Sequence, residues 1–250
     1  MKQNKVFTYG RHALSEALRH APQAVTKVYL DRTMTDTKLR AQIDRLQIPV
    51  AKLSEGMARS DMKSGVAHQG IIGSISLFAL VQPFAKFVET LAPAKGTALV
   101  LLNGVQDPHN VGAIIRTAAG FGASAVLLPE RGTAAVSGAV IKVSAGMAFR
   151  IPLVQVGSVK QTIIDLKRKG FKMYGLAGDV PVQAGGAVAL SQAQFDAPAV
   201  FILGNEGAGI GDDILKLCDH VLAIPMDPRC ESLNVAAAAA VTLYEWSKRA

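Results

Sequence analysis

Three stretches of the sequence combine polar side chains with glycine or proline: NGVQDPHN at 103–110, GNEGAGIG at 204–211 and MDPRCESLN at 226–234. Within or just beyond them lie Asn110, Arg116, Glu206, Ser232 and Asn234. Arg116 stands among Ile114, Ile115, Ala118 and Ala119. A guanidinium in apolar surroundings is costly unless it is paired or faces a cleft, so the pattern predicts an anionic ligand or a carboxylate partner; simple surface exposure is the other reading. Glu206 is flanked by Gly204 and Gly207, which let backbone approach a ligand closely. Its carboxylate can pair with Arg116 or hold a donor group, or it is a solvated residue of an ordinary turn. Asn110 fits the N-cap of a helix starting at Val111, and Ser232 fits the N-cap of the last helix. Asn234, read as lying inside that helical run, is locally unfavourable there and needs another reason. His109, next to Pro108, reads as a loop residue without a catalytic role.

What is missing narrows the chemistry. Residues 204–209 read GNEGAG rather than GxGxxG and follow a late strand, and no GxxxxGK[ST] exists. An ordinary Rossmann dinucleotide or methyltransferase site is therefore poorly supported, and a cofactor would bind in another way. Nothing suggests a Ser-His-Asp triad or a metal cluster. The two cysteines, Cys218 and Cys230, have no CxxC or zinc-type spacing and read as reduced thiols, with no disulfide or structural metal expected.

The elements that must position these residues follow from hydrophobic pattern. TALVLLN (97–103), ASAVLLP (123–129), LVQV (153–156), FKMYGLA (171–177), AVFILG (199–204) and HVLAIP (220–225) are nearly continuous apolar runs. Such runs are expected for parallel strands covered on both faces by helices. A helix is predicted from about Val111 to Phe121, and SLNVAAAAAVTLYEWSKR closes the chain as a strong helix former with a flat alanine surface, either an ordinary buried helix or a subunit contact. In open parallel sheets ligands bind beyond the carboxyl ends of the strands, where the three polar stretches fall. Upstream, GRHALSEALRH (10–20), TKVYL (26–30), TDTKLRAQIDRL (35–46), PVAKL (49–53), SEGMARSDM (54–62) and GIIGSISL (70–77) describe a small α/β unit. Pro83, Pro93 and Gly96 surround one short amphipathic segment, which marks a linker. The expected organisation is 1–77, a linker at 78–95, and 96–250.

Charge separates along the same line. Residues 1–95 carry 14 Lys or Arg against 7 Asp or Glu, whereas residues 96–250 carry 13 against 12. Segregated basic charge suits a polyanion, since Lys and Arg neutralise phosphates; a merely soluble basic domain is the plainer alternative. Half of the residues are hydrophobic, enough for a substantial core. No stretch reaches the ~18–20 apolar residues of a membrane span and the N-terminus lacks a signal-type apolar run, so a soluble, cytoplasmic protein without membrane association is expected.

Three motifs in order resemble those of the SpoU (TrmH) family of SPOUT RNA ribose 2′-O-methyltransferases: NVGAIIRTAAGFGASAVLLP, FILGNEGAGI and IPMDPRCESLNVAAAAA. VFTYGRHALSEAL and VAHQGIIG resemble the N-terminal substrate-binding domain of the RlmB-like subgroup, which acts on guanosine of large-subunit (23S) rRNA. The resemblance implies a C-terminal α/β domain with a trefoil knot around a parallel sheet, plus a small N-terminal α/β domain for RNA. It implies S-adenosyl-L-methionine held by Leu203, Gly204, Asn205, Ile224, Pro225, Met226 and Leu233, and a reaction centre of Asn110, Arg116, Glu206, Ser232 and Asn234. It also implies a homodimer, a structured RNA partner and no metal. One departure is Ala236, where many relatives have serine.

The implied reaction is attack of a ribose 2′-hydroxyl on the methyl of a sulfonium, which needs positioning and management of a proton. Arg116 is a poor base because its guanidinium stays protonated, so it is read as stabilising the developing alkoxide and holding a phosphate. Glu206 and Asn110 would orient it and the ribose, and Ser232 and Asn234 would shape the pocket. Arg11, Arg19, Lys27, Arg32 and Lys38 are candidates for the RNA surface of the first domain. The competing readings are an enzyme acting on transfer RNA and a non-catalytic ribosome-assembly factor that keeps the scaffold.

Overall fold

The computed structural model describes residues 5–32, 34–53, 69–177 and 186–249. The predicted helix at 54–62 lies outside them. The chain forms two compact units, one of residues 1–81 with 136–150, the other of residues 82–135 with 151–250.

The first unit is built on strands β1 (Lys5–Tyr9), β2 (Val25–Leu30), β3 (Val50–Lys52) and β4 (Ile71–Ser76), in the order β1-β4-β2-β3. β4 runs antiparallel to both neighbours and β3 parallel to β2. Helix Arg11–His20 seats Leu14 directly on the sheet: a Cβ at Gly73 of β4 would come within 2.7 Å of Leu14. Leu14, Ala17, Leu18, Leu39 and Ile43 are buried, the last two from helix Thr37–Arg45. Asp36 caps that helix by accepting from Leu39 N at 3.0 Å. Glu16 is buried at 3% exposure and accepts from Arg150 Nε; Arg19 and His20 lie within 3.8 Å of its carboxylate.

The second unit holds β5 (Val81–Pro83), β6 (Ala98–Leu102), β7 (Ala125–Pro129), β8 (Leu153–Val156), β9 (Lys172–Leu176), β10 (Val188–Ala189), β11 (Ala199–Leu203) and β12 (His220–Ala223) in one sheet, ordered β10-β12-β9-β11-β6-β7-β8-β5. The pairings from β10 through to β8 are parallel. Every residue of β6, β7 and β11 is buried, which is what continuous apolar runs predict for a sheet covered on both sides. Leu99, Leu101, Val200 and Ile202 pack with Phe87, Ile163 and Leu166 from helices Phe84–Thr90 and Val159–Arg168. Since side chains alternate along a strand, Phe201 points to the other face, where its ring meets Trp246 of helix Val235–Ser247 at 6.2 Å. That helix packs along helix Pro108–Gly120.

Two local features differ from the sequence reading. The stretch read as a linker contains helix Leu77–Leu80, β5 and helix Phe84–Thr90, and Phe87 is buried in the main core. The helix read as starting at Val111 starts at Pro108, because Asp107 is its N-cap, accepting from His109 N at 2.8 Å with proline in the first turn.

Candidate functional site

Strand order decides where the site lies. From β6 the chain moves through helix Pro108–Gly120 to β7 on one side, whereas from β11 it moves to β12 on the other. The carboxyl ends of the adjacent strands β6 and β11 therefore form a topological switch point, the place where open α/β sheets hold ligands. The loops after them are stitched together. Asn103 N donates to Leu203 O at 2.7 Å, and Asn205 Nδ2 donates to Gly104 O at 2.8 Å. Asn205 also folds its own loop, its Oδ1 accepting from Gly207 N and Ala208 N while its backbone pairs both ways with Gly209. Gly204 is obligatory in this turn: a Cβ there would lie 2.4 Å from the carbonyl carbon of Gly209.

Glu206 sits at the centre of a polar chain. Its carboxylate accepts from Gln106 N at 3.2 Å, Asp107 N at 3.1 Å and Asn110 Nδ2 at 3.0 Å. A carboxylate can only accept, so the Asn110 amide must turn Nδ2 towards it and Oδ1 away. That Oδ1 accepts from Asn234 Nδ2 at 3.0 Å, and Asn234 Oδ1 accepts from Ala236 N at 2.9 Å. One residue thus fixes the amide orientation of the next across the loops after β11, β6 and β12. Burial raises the Glu206 pKa, but the hydrogen bond from Asn110 and those from backbone N–H groups outweigh it, and the carboxyl titrates below its ordinary value.

Three expectations are corrected here. Asn110 is not an N-cap; it lies within the first turn of its helix, buried, and its side chain bridges Glu206 to Asn234. Asn234 is not inside the last helix; it is the N-cap, the role expected of Ser232, which removes the local penalty. Arg116 does not pair with Glu206 and does not line the cleft described next: it is exposed, and its side chain makes no ion pair or hydrogen bond among the described residues. At about 100° per residue, six positions carry it to a different side of the helix from Asn110.

Beside the polar chain a cleft of about 560 Å³ opens at the carboxyl ends of β9, β11 and β12. Leu203, Gly204, Asn205, Ile224, Met226 and Leu233 line it, and so do Glu206, Ser232 and Asn234; Pro225 and Asn110 do not. The sequence reading did not single out Leu176 and Ala177 at the end of β9, nor Glu231. The first two carry no reactive group, and only their position at a strand's carboxyl end could have signalled them. The volume falls in the range of small-molecule and cofactor sites, and the lining mixes aliphatic side chains with a few convergent polar groups, as such sites do.

Comparison with known proteins agrees with this architecture. The family described as SpoU rRNA methylase matches residues 97–244, and the domain described as RNA 2′-O ribose methyltransferase substrate binding matches residues 7–79. The chain belongs to the SpoU rRNA methylase family. It is similar to the 23S rRNA (guanosine-2′-O-)-methyltransferase RlmB of Pseudomonas syringae pv. tomato, 36% identical over 95% of this chain and 93% of the relative. It is 34% identical to the protein of the same name from Xanthomonas campestris pv. campestris, over 98% and 96% of the two chains. Among solved structures, the AdoMet-bound rRNA methyltransferase from Sinorhizobium meliloti superposes with a TM-score of 0.82, covering 99% of this chain and 88% of that one at 21% identity. The SpoU methyltransferase AviRb from Streptomyces viridochromogenes, in complex with AdoMet, gives 0.80 at 20% identity, covering 98% and 90% of the two chains. These likenesses fix the fold.

Proposed function

We propose that this chain transfers a methyl group from S-adenosylmethionine to a ribose 2′-hydroxyl of RNA, at a guanosine of 23S rRNA as the names of its relatives state. The observation that carries this reading is the chain of hydrogen bonds from Gln106 and Asp107 through Glu206 and Asn110 to Asn234, set beside a nucleoside-sized cleft. The donor supplies an electrophilic methyl on a positively charged sulfur. Leu203, Gly204, Asn205, Ile224, Met226 and Leu233 hold it, with Pro225 next to them in sequence, inside the trefoil knot that the family resemblance implies. Ser232 and Asn234 shape the pocket mouth, and Glu206 with Asn110 keeps the loops in register.

Arg116 has the remaining role. A guanidinium does not take up the hydroxyl proton, so Arg116 stabilises the nascent alkoxide and grips a phosphate of the RNA, while the proton of the 2′-hydroxyl passes to solvent water as the methyl leaves the sulfonium for the oxygen. Its exposed position, away from the cleft of its own chain, supports a homodimer in which Arg116 reaches the cleft of a second copy. Arg11, Arg19, Arg32 and Lys38 are exposed on the first unit and Lys27 is half-buried there; these side chains meet RNA phosphates. The reaction needs no metal, and the protein works in the cytoplasm, where rRNA is made; among the described residues no helix is long and apolar enough to cross a membrane.

The test uses methyl-labelled donor and RNA from cells lacking the gene. Wild-type protein should place a ribose methyl on a guanosine of large-subunit rRNA, and Arg116→Ala should abolish transfer while leaving the melting temperature unchanged. Mixing Arg116→Ala with Asn234→Ala protein should restore part of the activity, because one composite site of the mixed dimer is intact. Donor binding without methyl transfer to any RNA would overturn the reading.

A further inference from the structure

Among the described residues, the cleft is lined by two carboxylates, Glu206 and Glu231, and by no Lys, Arg or His. The two are not equivalent. Glu206 is spent on Gln106 N, Asp107 N and Asn110 Nδ2, so its charge is dispersed over three donors. Glu231 has no hydrogen-bond or ion-pair partner among the described residues. The nearest cation in its own loop, Arg229, is already held by both carboxylate oxygens of Asp227 at 2.9 and 3.0 Å. A negative charge on the wall of a cleft whose described lining holds no compensating cation attracts a cationic ligand in preference to a neutral one.

We propose that Glu231 is the counter-charge for the sulfonium of the methyl donor, and that it makes the cleft prefer the charged donor to the demethylated product. This rests on the methyltransferase reading above and assigns a specificity residue within it. S-adenosylmethionine and S-adenosylhomocysteine share adenosine, ammonium and carboxylate; they differ in the methyl group and in the charge on sulfur. Contacts with the shared parts therefore weaken both ligands alike when removed, whereas a counter-charge at the sulfur affects the donor alone. Because Glu231 is exposed, its attraction is screened by salt. Product release benefits, since transfer of the methyl group erases the charge that Glu231 holds.

The experiment is calorimetric titration of both ligands into the full-length wild-type protein, Glu231→Gln and Glu231→Asp, at low and high salt. Glu231→Gln should weaken the donor about tenfold and change the product less than twofold, while Glu231→Asp keeps most of the preference. The wild-type preference should shrink as salt rises, and that of Glu231→Gln should not. Unchanged melting temperatures exclude a folding defect. If wild type binds both ligands and Glu231→Gln leaves their ratio unaltered, the assignment of Glu231 fails and the methyltransferase reading stands. If wild type binds neither, both fall.

Discussion

Asn110 Nδ2 donates to Glu206 Oε1 across 3.0 Å although the two residues are 96 positions apart in the chain. The contact joins the first turn of a helix to the loop of a strand laid down much later; Asn110 is 8% exposed, so its donor end is shielded from water while the carboxylate end is open to it. Replacing Glu206 by alanine removes the acceptor for three N–H groups. At about 1 kcal/mol per net hydrogen bond, discounted for the exposure of the carboxylate, the expected loss is about 1–2 kcal/mol. Chemical denaturation of the variant measures it, and methyl transfer should fall far more than stability does.

Asn234 serves two partners, and substitutions separate them. Asn234→Ala removes both the cap on Ala236 N and the donor to Asn110, at a cost of about 1–2 kcal/mol. Asn234→Asp preserves the cap but turns an acceptor towards Asn110 Oδ1, so helix stability should be retained while activity is lost. Parallel melting curves and transfer assays on the two variants distinguish the roles.

Gly204→Ala places a methyl group 2.4 Å from the carbonyl carbon and 2.5 Å from the carbonyl oxygen of Gly209, backbone atoms that cannot swing aside. The loop must move, which costs about 1–3 kcal/mol in a well-packed site. Donor affinity should drop at least tenfold in calorimetry with the circular dichroism spectrum unchanged.

In the first unit the Arg150 guanidinium, through its hydrogen bond to the carboxylate, holds the Glu16 pKa below its ordinary value of 4.5 against the opposing effect of burial. A carboxyl depressed on folding contributes stability above its unfolded pKa and loses that contribution as pH falls through the folded value. Glu16→Gln should therefore be less stable than wild type at neutral pH, by about 1–2 kcal/mol given the half-exposed arginine. The difference should vanish in acid, with the decline beginning below about pH 4.5. Urea titrations across that range report it.

How much of this could be read beforehand depends on how local the cause is. LVQV is a strand at the residues expected, because an apolar run between turn signals decides it alone. The helix start was displaced to Pro108 because two capping residues, Asp107 and Asn110, compete within four positions, and the competition is settled by Glu206 drawing the Asn110 side chain away. Asn234 was legible as an anomaly but not as a cap, since only the partner at Asn110 explains why the helix waits for Val235. The sequence left the exposure of Arg116 as one of two readings, because apolar neighbours in sequence need not be neighbours on the same side of a helix. Glu231 carries no such local signal: nothing around it in sequence is unusual, and only the lack of a positive side chain among the described residues of the cleft sets it apart.

The Asn234–Asn110–Glu206 relay makes the starts of two long helices mechanically dependent on one another. Asn234 at the end of the segment 231–234 is joined through Asn110 and Glu206 to the backbone of Gln106 and Asp107 by an unbroken series of hydrogen bonds. The two helix starts therefore share one set of hydrogen bonds, and the helix that displays Arg116 begins where that set ends.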